Sequence, residues 1–159
     1  YKGVTMEGID FDINYVMDTD NMGRFDMGVN AAKITKYIYQ RFASDSVESN
    51  EGEMGLPDTR MTPYLTWGKG DWGVGLTGYH VSGQETDYFG TPYSVDDSMT
   101  FNLRVSYQLP WDASVSLGAI NVTDEEPEQN SDWYGWEPFD FSLYDTRGRT
   151  VYITYEQSL

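Results

Sequence analysis

The sequence predicts an all-β fold: an antiparallel transmembrane β-barrel, present as an arc of about seven strands. Three observations carry this. Apolar and polar residues alternate with period two in seven separate stretches. Successive connections alternate short, long, short, long. Aromatic residues make up 16% of the chain, with 13 Tyr and 5 Trp, and pairs of them flank the short connections. Period two marks strands with unlike faces. Outer-membrane barrels have short periplasmic turns, longer outer loops and interfacial aromatic girdles.

The first strand is "GIDFDINYVM", residues 8–17. Ile9, Phe11, Ile13, Tyr15 and Met17 share one face, and Asp10, Asp12 and Asn14 the other. "DTDNMG" turns the chain, and "RFDMGVNAAKITKYIYQ" returns with Phe25, Met27, Val29 and Ala31 in phase. Residues 41–58 read as a loop. "RMTPYLTW" is the third strand, with Met61, Leu65 and Trp67 in phase; Pro63 shares that phase and suits an interior strand poorly. After "GKGD", "WGVGLTGYHVSG" sets Trp72, Val74 and Leu76 against Gly73, Gly75 and Thr77. Small residues on the second face predict a lumen filled by something else.

A second loop runs through "DYFGTPYSVDD", residues 87–97. "MTFNLRVSYQL" is the clearest strand, with Met99, Phe101, Leu103, Val105, Tyr107 and Leu109 on one face. "PWDA" turns the chain into "SVSLGAINVTD", whose phase blurs at Ile120. A third loop holds "EEPEQNSDWYGWEPFDF". The closing stretch, "LYDTRGRTVYITYEQSL", is the seventh strand. Charges within the clean strand cores fall on the polar face, as lipid on the other face requires. The pairs Tyr15 and Phe25, Trp67 and Trp72, and Tyr107 and Trp111 form the girdle.

Charge and composition narrow the function. The net charge of −16 and ten scattered basic residues argue against nucleic acid. There is no Cys, so neither a disulfide nor a Cys-ligated metal is expected. No apolar run reaches the roughly 18 residues of a transmembrane helix. No catalytic residue is expected: His80 is the one histidine, and no Ser stands in a nucleophile signature. The five acids of "DEEPEQNSD" lack EF-hand spacing and read as a solvated loop, so neither metal nor cofactor is predicted. Seven strands, an odd count, leave two edges that lipid would not tolerate. With no signal peptide and a non-Met start, the chain is expected to be an arc cut from a larger barrel.

Three segments resemble a known family: "SYQLPW" at 106–111, "LGAINVTDEEP" at 117–127 and "YDTRGRTVYITYEQSL" at 144–159. They resemble the carboxy-terminal part of the β-barrel of a TonB-dependent outer-membrane receptor. The shared elements are Asn121, Asp124 and Pro127, then Tyr144, Asp145, Gly148 and Arg149 ahead of the last strand. "GIDFDINYVMDTDNMGRFDMGVN" is similar to a hairpin of that family. The resemblance implies residues 1–159 as the last third of a barrel of about 22 strands, the plug and earlier strands lying outside the chain. It implies import of a scarce ligand, a ferric siderophore, cobalamin or an oligosaccharide, with energy relayed by TonB through the missing amino-terminal region. The implied place is the bacterial outer membrane, in contact with lipid and lipopolysaccharide, with the carboxy terminus in the periplasm. It implies that Val151, Ile153, Tyr155 and Leu159 form the signal read by the barrel-assembly machinery; Gln157 breaks the pattern and Leu159 stands for the usual Phe. Ligand contacts are expected from the outer-loop aromatics Trp133, Tyr134, Trp136, Tyr88, Phe89 and Tyr93, and from lumenal Arg104. Other readings are a complete small barrel serving as an adhesin, and a secreted carbohydrate-binding β-sandwich.

Overall fold

A computed structural model describes residues 3–40, 42, 44, 47–130, 133 and 138–158. Nine strands run through them: β1 (Gly3–Thr19), β2 (Gly23–Gln40), β3 (Thr59–Lys69), β4 (Trp72–Val81), β5 (Gln84–Tyr88), β6 (Thr91–Val95), β7 (Ser98–Leu109), β8 (Ala113–Ile120) and β9 (Thr150–Gln157). Seven form one antiparallel sheet in the order β1-β2-β3-β4-β7-β8-β9. β5 and β6 pair only with each other. β1 and β9 are the two edges, so the sheet is an open arc. No described helix is long and apolar enough to cross a membrane.

The register sorts side chains into rows that cross the whole arc. Tyr15 lies opposite Met27, and the row continues through Leu65, Leu76, Leu103, Ala119 and Val151. Two positions along, Met17, Phe25, Trp67, Val74, Val105, Leu117 and Ile153 form a second row. Between them run Val16, Asp26, Thr66, Gly75, Arg104, Gly118 and Tyr152. Adjacent rows point to opposite faces. One face is therefore apolar on every strand and the other is mainly polar or small. A one-residue slip anywhere would mix the two, so alternation fixes the register strongly.

The apolar face has no layer packed against it. Phe11, Ile13 and Leu117 are exposed, and Ile153 is 75% exposed. Among the described residues the buried hydrophobics are Met54, Val95 and Ala113, none of them in these two rows. A water-soluble sheet hides its apolar face at about 25 cal/mol per Å². This one presents it outward, as a barrel wall presents its face to hydrocarbon.

The polar face carries its own packing. Tyr64 lies over Gly28, where an added Cβ would meet the ring at 2.9 Å, and Asn14 donates to its hydroxyl. Tyr152 covers Gly118 in the same way. The material opposite these small residues is thus a tyrosine from the adjoining strand, a device that restores packing at a strand glycine.

β1 and β2 exceed the roughly 9–11 residues that span a bilayer. Ten positions of β2, Arg24 to Lys33, pair with β3. Above them Glu7 pairs with Lys36 and Gly8 with Ile34, leaving Thr35 as the extra residue of a bulge. Lys36 bonds Glu7 at 3.0 Å and Lys33 bonds Asp58 at 3.3 Å. Paired charges there mark the end of the apolar belt. The expected start of the first strand at residue 8 therefore moves to Gly3.

Three other expectations change. Residues 87–97 are not wholly loop: β5 and β6 form a hairpin whose tip, Phe89 and Gly90, has φ of 51° and 80°. Two left-handed residues make the primed turn that suits a two-residue hairpin. β8 stops at Ile120, because Asn121 turns left-handed at φ 50°. β9 starts at Thr150, with residues 143–149 folded into the loop before it. Pro63 remains in an interior strand, opposite Val29. The β3–β4 ladder skips its level, running from Met61 opposite His80 to Tyr64 opposite Thr77.

The girdle expected beside the short turns is present. The Trp72 and Tyr107 rings lie 4.7 Å apart. Trp67 Nε1 donates to the Met22 carbonyl at 2.6 Å, and Trp111 Nε1 to the Tyr155 hydroxyl at 3.3 Å. The polar edges of these rings meet backbone and hydroxyl partners, as interfacial aromatics do.

Candidate functional site

The three long connections, residues 41–58, 82–97 and 121–149, meet at the edge opposite the short turns. Gln84, the first residue of β5, ties them together. It is 2% exposed. Its Oε1 accepts the Gly55 N–H at 2.6 Å, and its Nε2 donates to the Tyr144 hydroxyl at 3.0 Å. Glu85 N–H donates to the Gly52 carbonyl at 2.8 Å. Both ends of one buried amide are thus spent on two other loops. Burial pushes the Tyr144 hydroxyl above its ordinary pKa. Lower on this hairpin, Asp97 accepts the Gly83 N–H at 2.6 Å and pairs with His80 Nε2 at 3.2 Å. Those contacts, the Gly83 bond first, hold the Asp97 carboxyl below the usual range.

The motif residues from two distant segments come together at the outer end of β8 and β9. Asn121 Oδ1 accepts the Glu125 N–H at 3.0 Å, and its Nδ2 donates to the Glu125 carbonyl at 2.8 Å. That clamp closes the turn after β8, and Asp124 N–H donates back to the Asn121 carbonyl. Asp124 Oδ1 accepts the Arg149 N–H at 2.7 Å while its Oδ2 pairs with the guanidinium at 3.5 Å. Gly148 packs against Asp124 at φ 34°, where a Cβ would stand 3.3 Å from that carboxylate. Three residues before Gly148, Asp145 receives Arg147 through its backbone N–H, Nε and Nη2. These bonds lower the Asp145 pKa to about 2. Asn121, Pro127, Tyr144, Asp145 and Gly148 all line one cavity.

That cavity measures 370 Å³ and lies between the polar face of the wall and the 121–149 connection. Tyr79 of β4 and Thr100 of β7, directly opposed in register, supply its wall side. Asn102, Ile120, Leu143 and Arg147 complete much of the lining. Tyr79, Asn102 and Arg147 were not singled out by sequence. On a strand Tyr79 and Asn102 are ordinary polar-face positions, and only the folded-back loop gives them an enclosed neighbour.

The expected ligand-facing aromatics are partly gathered. Trp133 stands between Tyr88 and Tyr93, with ring centroids 5.9 and 5.2 Å away. Phe89, 92% exposed, rests edge-on against Tyr88. Tyr134 and Trp136 lie outside the described residues. Arg104 is not part of this group. It lies on the polar face between Gly75 and Gly118 and approaches Glu156 at 4.0 Å. Among the described residues no three His, Asp or Glu side chains converge into a metal-holding group. In the acidic stretch Glu128 instead accepts the Asp96 N–H. Val151, Ile153 and Tyr155 line the apolar face of β9, and Leu159 lies outside the described residues.

Comparison with known proteins places the chain. The model of the family described as TonB dependent receptor-like, beta-barrel matches residues 2–122. The match takes in β1 to β8 and ends one residue after Asn121. It takes in the resembling segment 106–111 and the first part of 117–127, and does not reach residues 144–159. No curated protein and no solved structure matches the chain. With that match over most of its length, and with apolar rows turned outward on every strand of the sheet, the chain belongs to the β-barrel family of TonB-dependent receptors, which are outer-membrane transporters.

Proposed function

We propose that this chain is an arc of the wall of an active-transport receptor, importing a scarce ligand across the outer membrane with energy relayed by TonB. The observation that carries this is the pair of apolar rows crossing all seven strands, unbacked by a second layer. A β-sandwich would place another sheet on that face. The two unpaired edges, β1 and β9, are supported in lipid only if further strands flank them. That favours a larger barrel, of about 22 strands around a plug, over a complete small one. Ser158 N–H donates to the Asp112 carbonyl of the last short turn. Such an end belongs at the periplasmic rim, where Val151, Ile153, Tyr155 and Leu159 would meet the assembly machinery. The long connections would then face outward, toward lipopolysaccharide and the ligand: a ferric siderophore, cobalamin or an oligosaccharide.

The test uses the full-length receptor containing this chain. Unheated, it is expected to run as a compact band from outer-membrane fractions and to shift on boiling. Uptake of its ligand is expected to stop when TonB is deleted. A protein found soluble in the periplasm or medium, without detergent, would sink the reading.

A further inference from the structure

The three long connections hold 17 of the 26 acidic residues and three of the ten basic ones. This sector of the rim is therefore strongly negative, and an anion approaching it meets repulsion. Within that rim the 370 Å³ cavity is near the lower end of ligand pockets, roughly 300–1,000 Å³. Its lining is of two kinds. Tyr79, Leu143 and Tyr144 offer rings and aliphatic surface. Asn102, Asp145 and Arg147 offer polar groups whose bonding is incomplete. Asn102 Oδ1 is taken by the Asn121 N–H at 3.0 Å, while no described protein atom accepts from its amide nitrogen. Arg147 gives Nε and Nη2 to Asp145, and no described partner accepts from Nη1. Donor and acceptor thus sit side by side next to an aromatic surface.

We infer, resting on the receptor reading above, that this cavity is a subsite for a neutral polyhydroxylated ring, the end unit of a sugar chain. A pyranose has an apolar C–H face to lie on a tyrosine and an edge of adjacent hydroxyls that both donate and accept. The Asp145–Arg147 pair matches adjacent hydroxyls, since each can bridge a remaining carboxylate lone pair and a remaining N–H. A purely apolar guest would cover the Asn102 amide without giving it a partner. An anionic chelate would face Glu125 in the lining and the acids of the rim.

The experiment is isothermal titration on the full-length receptor in detergent. Maltohexaose, cellohexaose and xylohexaose are the neutral probes; hexagalacturonate is the anionic probe and a chitosan hexamer the cationic one. At least one neutral probe is expected to bind, and the anionic probe is not. Tyr79→Ala removes the stacking face, and Thr100→Trp fills the cavity from the opposite strand. Each is expected to weaken neutral binding by about tenfold or more. Thr66→Trp, equally bulky on the same face but nearer the short turns, leaves binding unchanged. Heat-modifiable mobility reports folding of each variant. The inference is overturned if no neutral probe binds, if a charged probe binds more tightly, or if Tyr79→Ala and Thr100→Trp leave binding intact. A receptor that binds the sugar at this cavity but imports nothing would defeat the transport reading and leave the subsite standing.

Discussion

Asp145 shows how one residue can be visible in a sequence while its role is not. Its place in "YDTRGR" marks it within a motif, but the three bonds it takes from Arg147 follow from the fold of a short loop. Those bonds stabilise the charged carboxylate, chiefly through the Arg147 side chain, and bring the pKa from 3.8 to about 2. The sign follows from linkage. A depressed carboxylate pKa adds stability above the unfolded value, and that contribution fades as pH falls from about 3.8 toward about 2. The side chains are well exposed, so solvent screening keeps the energy small. Carbon-13 NMR of the labelled carboxyl is expected to give a midpoint near 2. Arg147→Gln is expected to return it toward the ordinary range. A midpoint unmoved by Arg147→Gln would show that the loop does not hold this pair. Asn121 is a similar case. The period-two pattern blurs one residue earlier because Ile120, still in register on the inward face, lines the cavity under the folded-back loop.

At the scale of the strand, most of the architecture was legible. Alternation is a local property, and in β7 it runs unbroken from Met99 to Leu109. Lipid enforces it more strictly than water does, because each outward residue faces hydrocarbon. The β5–β6 hairpin was not legible, since its five-residue strands are polar and its turn sets a phenylalanine left-handed. Its stability comes from docking through Gln84 and Trp133, which no local pattern announces. The face assignment makes a sharp prediction at neighbouring positions of β4. Leu76 lies in an outward row near the middle of the strand, and Thr77 faces inward beside Asn102. Leu76→Arg is expected to cost about 2–4 kcal/mol of folding free energy in bilayers, against well under 1 for Thr77→Arg. Urea titration of receptor folded into vesicles measures both. Equal costs would mean that the two faces share one environment.

The whole molecule divides into a wall and a cap. The wall is held by ladders between strands that follow one another in the chain, apart from β4 with β7, where the β5–β6 hairpin intervenes. The cap is held by contacts across 29 to 60 residues, such as Gln84 with Gly55 and with Tyr144. Pattern reading reaches the first kind of contact and not the second, which is why the wall was predicted in order and the cap was read as three separate loops. Gln84 is the residue on which that division depends. Replacing it by Ala takes the partner from the part-buried Gly55 N–H and Tyr144 hydroxyl, at about 0.5–1.5 kcal/mol for each lost bond. The wall has no bond to that amide, so the loss falls on the connections alone. Hydrogen exchange of Gln84→Ala is expected to quicken together in residues 50–56, 84–95 and 140–145, while β3, β4 and β7 exchange as before. Tyr144→Phe separates the two bonds: Gln84 keeps the Gly55 N–H and loses its partner in the last connection, so only the 140–145 segment is expected to loosen strongly. If Gln84→Ala quickens the 84–95 hairpin and neither of the others, the three connections move independently. The cavity between wall and loop would then owe its shape to the Asn121 and Asp124 clamps rather than to a cap that acts as one body.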